Sequence, residues 1–209
     1  MGDDNISKEK IKSGKRQNRK KMLVVIAAVL IVAGCVGGFI LYEKLKSPLL
    51  STSQVSSVVG GKWISNPSNS SSNITSDSSS FNSTLAVGMT GGNAENLTNG
   101  NESIIIGYIT YKNNYYSEHS YTNVINLFSA LLNPQTGNLG SATYSYFNIN
   151  ISTYYTGGFF NVTVPGTHMS SLIAQNNNDL ILIMGFNINF SQNQAKTLLQ
   201  DQVSDMQSV

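Results

Sequence analysis

Apolar residues are spread very unevenly along the chain. From Met22 to Tyr42 they run without one charged residue. These 21 positions, at about 1.5 Å rise each, match a hydrocarbon core of roughly 30 Å. A helix satisfies its own backbone polar groups, as lipid cannot, so the run predicts a transmembrane helix. Beyond it, Leu49 to Gly61 predicts a short helix capped by Ser51 or Thr52, with Val55, Val58 and Val59 on one face and Gly60 as its stop. Lys62-Trp63-Ile64 predicts the start of a strand, with Trp63 as a core anchor.

From Ile104 onward the pattern is mainly that of strands. Ile104 to Tyr111 is one, followed by a Tyr-rich loop from Asn113 to Tyr121. Val124 to Leu132 and Ala142 to Ile151 flank Asn133-Pro134-Gln135-Thr136-Gly137-Asn138, a hairpin signal. Gly158 to Val164 predicts another strand, ended by Pro165-Gly166, and Thr167 to Gln175 a short helix. Leu180 to Phe190 opens as an unbroken apolar run, which predicts a strand central to its sheet. Ser191 to Gln194 forms a capping-box pattern, followed by Ala195, Leu198, Leu199, Val203 and Met206 at helical spacing. The fold class expected is α+β, an antiparallel sheet covered on one side by two or three short helices. The short helix closing on Gly60-Gly61 before Trp63 resembles the opening of some bacterial cell-wall sensor and lipoprotein domains; the likeness spans some 15 residues and carries no function with it.

Charge sets the orientation. Eight bases (Lys8, Lys10, Lys12, Lys15, Arg16, Arg19, Lys20, Lys21) precede the apolar run, and only Lys44 and Lys46 follow closely. The positive-inside rule then places the N-terminus in the cytoplasm and the bulk of the chain outside, in a cell-membrane protein with a single span. A cleaved signal peptide fits less well, because the basic head and the apolar run are both long for one. Val32-Ala33-Gly34-Cys35 has the form of a lipobox, but the chain stays apolar after Cys35. Gly34, Gly37 and Gly38 offer small residues for packing a partner helix in the bilayer. The organisation expected is a basic tail over 1–21, the span over 22–42, a juxtamembrane segment over 43–64, flexible glycosylated loops over 65–102 and a β-rich ectodomain over 103–209.

The exterior part carries few charges. Ser47 onward holds three bases (Lys62, Lys112, Lys196) and seven acids (Asp77, Glu95, Glu102, Glu118, Asp179, Asp201, Asp205). A mildly acidic surface argues against nucleic acid as a partner. Solubility resting on Ser, Thr, Asn, Gln and Tyr changes little in acid, a composition expected of an acid-living thermophilic archaeon's envelope protein. The one cysteine, Cys35, lies in the span, so no disulfide within the chain can brace the ectodomain.

Sixteen of the twenty residues from Ser65 to Thr84 are Ser, Asn or Thr, which predicts a solvated loop. Here begin the N-x-S/T triplets, acceptors for N-glycosylation: Asn69, Asn73, Asn82, Asn96, Asn101, Asn150, Asn161 and Asn189. Asn5 also matches, on the side predicted cytoplasmic. Alternation around Asn150, Asn161 and Asn189 places all three on the polar face of strands.

Chemistry is sparse. His119 and His168 are the only histidines, and no H-E-x-x-H, G-x-S-x-G, P-loop or G-x-G-x-x-G occurs. Neither a metal, a cofactor nor a catalytic set is expected, and Asp201 and Asp205 read as a solvated helix face. Tyr115, Tyr116 and Tyr121, with Tyr154 and Tyr155, form the candidate binding patch, since exposed Tyr gives rigid amphipathic contact area. The expectation is a non-enzymatic envelope protein that binds a surface-layer component, a glycan or another protein. A membrane- or vesicle-associated toxin or its immunity partner is the alternative, and an extracellular hydrolase ranks third.

Overall fold

The computed structural model describes residues 49–66, 87–131, 136–139, 142–151 and 156–207. The basic tail, the expected span and the sequence from 67 to 86 lie outside them. No helix among the described residues is long and apolar enough to cross a membrane.

Among the described residues eight strands make one antiparallel sheet: β1 (Ile64–Ser65), β2 (Met89–Asn99), β3 (Glu102–Tyr111), β4 (Thr136–Leu139), β5 (Ala142–Asn150), β6 (Thr156–Val164), β7 (Thr167–Asn176) and β8 (Asp179–Phe186). Their order is β1-β2-β3-β8-β7-β6-β5-β4, so β3 and β8 meet in the interior of the sheet. Two-residue turns at Gly100-Asn101, Pro165-Gly166 and Asn177-Asn178 join neighbours. Each places one residue at positive φ (Gly100 61°, Gly166 83°, Asn177 51°), the region Gly and Asn enter at least cost.

Among the described residues three helices complete the α+β fold: α1 (Thr52–Val59), α2 (Asn114–Leu131) and α3 (Gln192–Gln207). They lie on both faces of the sheet, not on one as the sequence pattern suggested. On one face Val124 and Ile125 of α2 pack with Ile109, Ile173, Leu180, Leu182 and Met184. On the other, Val55 of α1 and Leu198, Leu199 and Val203 of α3 pack with Ile104, Ile106, Leu172, Ile181 and Ile183. Strand side chains alternate between faces, so β8 is apolar in both phases because both are covered. Leu198 and Leu199 are wholly buried; such burial contributes about 2 kcal/mol or more per side chain.

Local signals hold at both outer helices. Ser51 and Gln54 form a capping box on α1, which ends at Gly60. Ser191 and Gln194 form another on α3: Gln194 N–H donates to Ser191 Oγ (3.2 Å) and Ser191 N–H to Gln194 Oε1 (2.9 Å). The two helices are antiparallel, since Gln194 Nε2 reaches the Val58 carbonyl (3.2 Å) while Gln54 Nε2 reaches Asp205 Oδ2 (2.9 Å). Leu50 N–H donates to the buried Gln202 Oε1 (3.2 Å), fixing where the chain joins the domain. Gln200 Nε2 ties that end of α3 to the Ile151 carbonyl (2.9 Å). The near pole therefore carries Leu49, Ile151, the Asn177-Asn178 turn and the start of α2. The far pole carries the Gly100-Asn101 and Pro165-Gly166 turns and the segment after Phe186.

Four further expectations are corrected. The Tyr-rich loop and the strand proposed for Val124 to Leu132 are together helix α2. Thr167 to Gln175, read as a short helix, lies in strand β7, with His168 along it. Met89 to Asn99, assigned to the flexible loops of 65–102, is strand β2, an eleven-residue neighbour of β3. The strand opening at Leu180 ends at Phe186, four residues before Phe190.

Candidate functional site

Polar side chains converge at the near pole. Asp179 opens β8 and pairs in register with Thr110 of β3 and with Asn176 of β7. The Thr110 hydroxyl donates to Asp179 Oδ1 at 2.6 Å. Burial holds the Asp179 carboxyl above its ordinary range, and the Thr110 hydrogen bond opposes that shift. Tyr108 is raised as well, first by burial and then by the Asp179 charge. Asn176 is 3% exposed, and its Oδ1 has no hydrogen-bond partner among the described residues. Paired residues of an antiparallel ladder carry their Cβ atoms on one face about 5 Å apart, so the Asn176 and Asp179 side chains leave the sheet on the same face.

Beside them the first turn of α2 docks on the Asn177 turn. The Ser117 hydroxyl donates to the Asn177 carbonyl (2.5 Å), and Gln175 Nε2 donates to Asn114 Oδ1 (2.5 Å) and Ser117 Oγ (3.2 Å). Asn114 Nδ2 in turn donates to Glu118 Oε1 (2.6 Å). Gly88 fits the backbone against this helix: its φ is 78°, and a Cβ there would meet Tyr116 Cγ at 2.4 Å. On the outer side of α2 the Tyr115 ring, 67% exposed, stacks on His119 with centroids 6.1 Å apart and planes within 9°.

The proposed tyrosine patch divides. Tyr115 faces solvent, whereas Tyr116 and Tyr121, partly buried, pack against the core beneath α2. Helical spacing separates 115 from 116 by about 100°, which a loop assignment could not reveal. Tyr154 and Tyr155 lie outside the described residues. Sequence reasoning passed over Asp179, Asn176, Gln175 and Asn114. The run Asn176-Asn177-Asn178-Asp179 reads as a plain connector, and Thr110 meets Asp179 only through strand pairing.

The glycosylation triplets divide too. Asn69, Asn73 and Asn82 lie outside the described residues. Asn101, Asn150 and Asn189 are exposed. Asn96 is 7% exposed and accepts from Ser103 Oγ (3.0 Å). Asn161 donates from Nδ2 to the Phe190 carbonyl (3.1 Å), and its Oδ1 accepts from the buried Ser170. A shared polar strand face for Asn150, Asn161 and Asn189 is not found: β6 has Phe159 buried on one face and Phe160 on the other, and Asn189 follows the end of β8.

Among the described residues no group of three or more His, Cys, Asp or Glu is placed to hold a metal ion. The near pole places Asp179, Thr110 and Asn176 on the sheet face toward α1 and α3, and Glu118, Asn114, Gln175 and the exposed Tyr115–His119 pair on the α2 side, groups suited to hydrogen bonding and stacking.

No protein-family model matches the chain, and no curated protein matches it. Among solved structures, the fold is similar to that of the extracellular domain of PknH from Mycobacterium tuberculosis, with a TM-score of 0.53 at 14% identity over 78% of this chain and 94% of that one. An uncharacterized protein of Mycobacterium smegmatis aligns with a TM-score of 0.31 at 10% identity over 56% of this chain and 65% of that one.

Proposed function

We propose that this chain is a single-pass membrane protein whose exterior α+β domain is a non-enzymatic binding module of the cell envelope. The observation that carries the proposal is the fold shared with an extracellular domain over 94% of that domain's length, set directly after an uncharged run of bilayer length and a basic head. N-glycosylation and a cytoplasmic N-terminus belong to the same reading.

The recognition surface in this proposal is the near pole: Tyr115 stacked on His119, with Asn114, Glu118 and Gln175 beside them. A rigid ring flanked by amide and carboxylate groups suits the apolar face and hydroxyl rim of a sugar, or a polar peptide. Six residues separate Tyr42 from Leu49, a reach of about 20 Å when extended. This surface therefore serves a partner close to the membrane, such as an envelope glycan or a neighbouring envelope protein.

Two measurements on whole cells test the reading. Added protease is expected to remove everything beyond Tyr42 while the head stays protected; full protection of the domain refutes the topology. Cross-linking of the full chain to its envelope partner is expected to fall at least tenfold in Tyr115→Ser/His119→Ser. Unchanged cross-linking refutes the surface.

A further inference from the structure

The fold separates acceptor triplets that look alike in the sequence. We infer that Asn101 and Asn189 carry N-linked glycans in the folded domain, while Asn96 and Asn161 stay bare although their triplets are intact. The inference rests on the exterior placement proposed above.

The chemistry is the same at each triplet. The asparagine Nδ2 bonds to the anomeric carbon of a lipid-phosphate-linked oligosaccharide, the donor a membrane transferase supplies. The bond from that carbon to the phosphate oxygen breaks, the lipid phosphate leaves with the electron pair, and one amide proton passes to a base. What differs is whether the finished fold has room for the product, because a chain modified at a buried position cannot reach this structure.

Asn96 is buried within β2, its Oδ1 held by Ser103 and its backbone carbonyl accepting from Asn66 N–H (2.8 Å). A sugar on its nitrogen would displace the strand from the core. Asn161 is clamped at both ends of its amide, the nitrogen on the Phe190 carbonyl and the oxygen on Ser170. Ser170 Oγ also accepts from Phe190 N–H (3.0 Å) and lies 3.1 Å from the Ile188 carbonyl, which competes with Asn161 Oδ1 for its one proton. A sugar on Asn161 would have to lift this segment, with its buried Phe190, off the sheet.

Asn101 and Asn189 meet the opposite condition. Asn101 is exposed in the turn after Gly100, and Asn189 is exposed between the partly buried Ile188 and the buried Phe190. Asn187 Nδ2 donates to the Asn101 carbonyl (2.9 Å), which brings both acceptors to the far pole. Sugars there point away from the pole at which the chain joins the domain, and they leave the Tyr115–His119 surface uncovered.

The test is peptide-mapping mass spectrometry on the full chain, purified from membranes of cells with an active transferase. Glycopeptides are expected at Asn101 and Asn189, and unmodified peptides at Asn96 and Asn161. Asn101→Gln and Asn189→Gln should each remove one glycan mass from the intact protein. A sugar on Asn96 or Asn161 in folded, protease-resistant protein overturns the inference. So do bare Asn101 and Asn189 on a chain glycosylated at Asn69, Asn73 or Asn82. A chain bare at all eight triplets also overturns it; if protease still removes the domain from whole cells, the glycan inference falls and the exterior placement stands.

Discussion

Ser170→Ala is the sharpest test of how the last strand is joined to α3. Ser170 is 1% exposed, and its hydroxyl links three partners: it accepts from Phe190 N–H and donates towards Asn161 Oδ1 and the Ile188 carbonyl. Alanine removes one oxygen and leaves a buried N–H and two acceptors without it. A buried donor or acceptor left unsatisfied costs about 1–3 kcal/mol. The N–H bears most of that loss, because Phe190 is buried whereas Asn161 is only partly so and water can reach its side chain. The expected destabilisation is thus about 2–4 kcal/mol, a large share of a domain's roughly 5–15 kcal/mol. Trp63, the chain's only tryptophan, is buried with Nε1 on the Gly60 carbonyl (2.7 Å), so its fluorescence reports unfolding in urea. Thr197→Ala, which removes an exposed hydroxyl bonded to the Asn193 carbonyl (3.0 Å) on α3, serves as the control. A Ser170→Ala midpoint within error of the control would refute the reasoning.

Asp179 gives a pH dependence of defined sign. Below the ordinary aspartate value of 3.8 both folded and unfolded chains hold the proton; above it the unfolded chain releases the proton first, because burial raises the folded value. The native state should therefore lose stability as pH rises from 3.8 through the folded pKa, and Asp179→Asn should flatten that part of the urea-midpoint profile. A wild-type advantage that grows over this range would have the wrong sign. Ser51→Ala removes the hydroxyl half of the α1 capping box and should cost about 1 kcal/mol, read as a lower thermal midpoint. Gly88→Ala places a methyl against Tyr116 at positive φ and should destabilise by at least about 1 kcal/mol; protease susceptibility at the start of α2 should rise with it. An unchanged midpoint would show that the ring moves aside freely.

What could be read from the sequence depended on how local its cause was. The capping boxes at Ser51 and Ser191 lie within four residues, and both helices begin there. The apolar run of β8 signalled burial on both faces. Helix α2 was hidden by its own residues, since Tyr, Thr, Val and Ile favour strands in isolation. Only the spacing of Tyr116, Ser120, Tyr121, Val124 and Ile125 betrays the helix. The error reversed at β7, where Ser171, Leu172, Ile173 and Ala174 show no alternation because α2 covers one face of the sheet and α1 and α3 the other. β2, rich in Gly, Asn and Thr, takes its stability from pairing with β3 more than from its own propensity. The near-pole site was illegible for a related reason: Thr110 and Asp179 become partners only when β3 and β8 align.

The β3–β8 seam also governs when the architecture can exist. Ile104 finds Gly185, and Ile109 finds Leu180, only after most of the polypeptide has been made. Until then the first sheet fragment has an open flank, and the later meander has nothing to close upon. Contacts between such distant stretches slow folding. Growing chains of this protein therefore stay pliable through most of their synthesis, and acquire rigidity late and all at once.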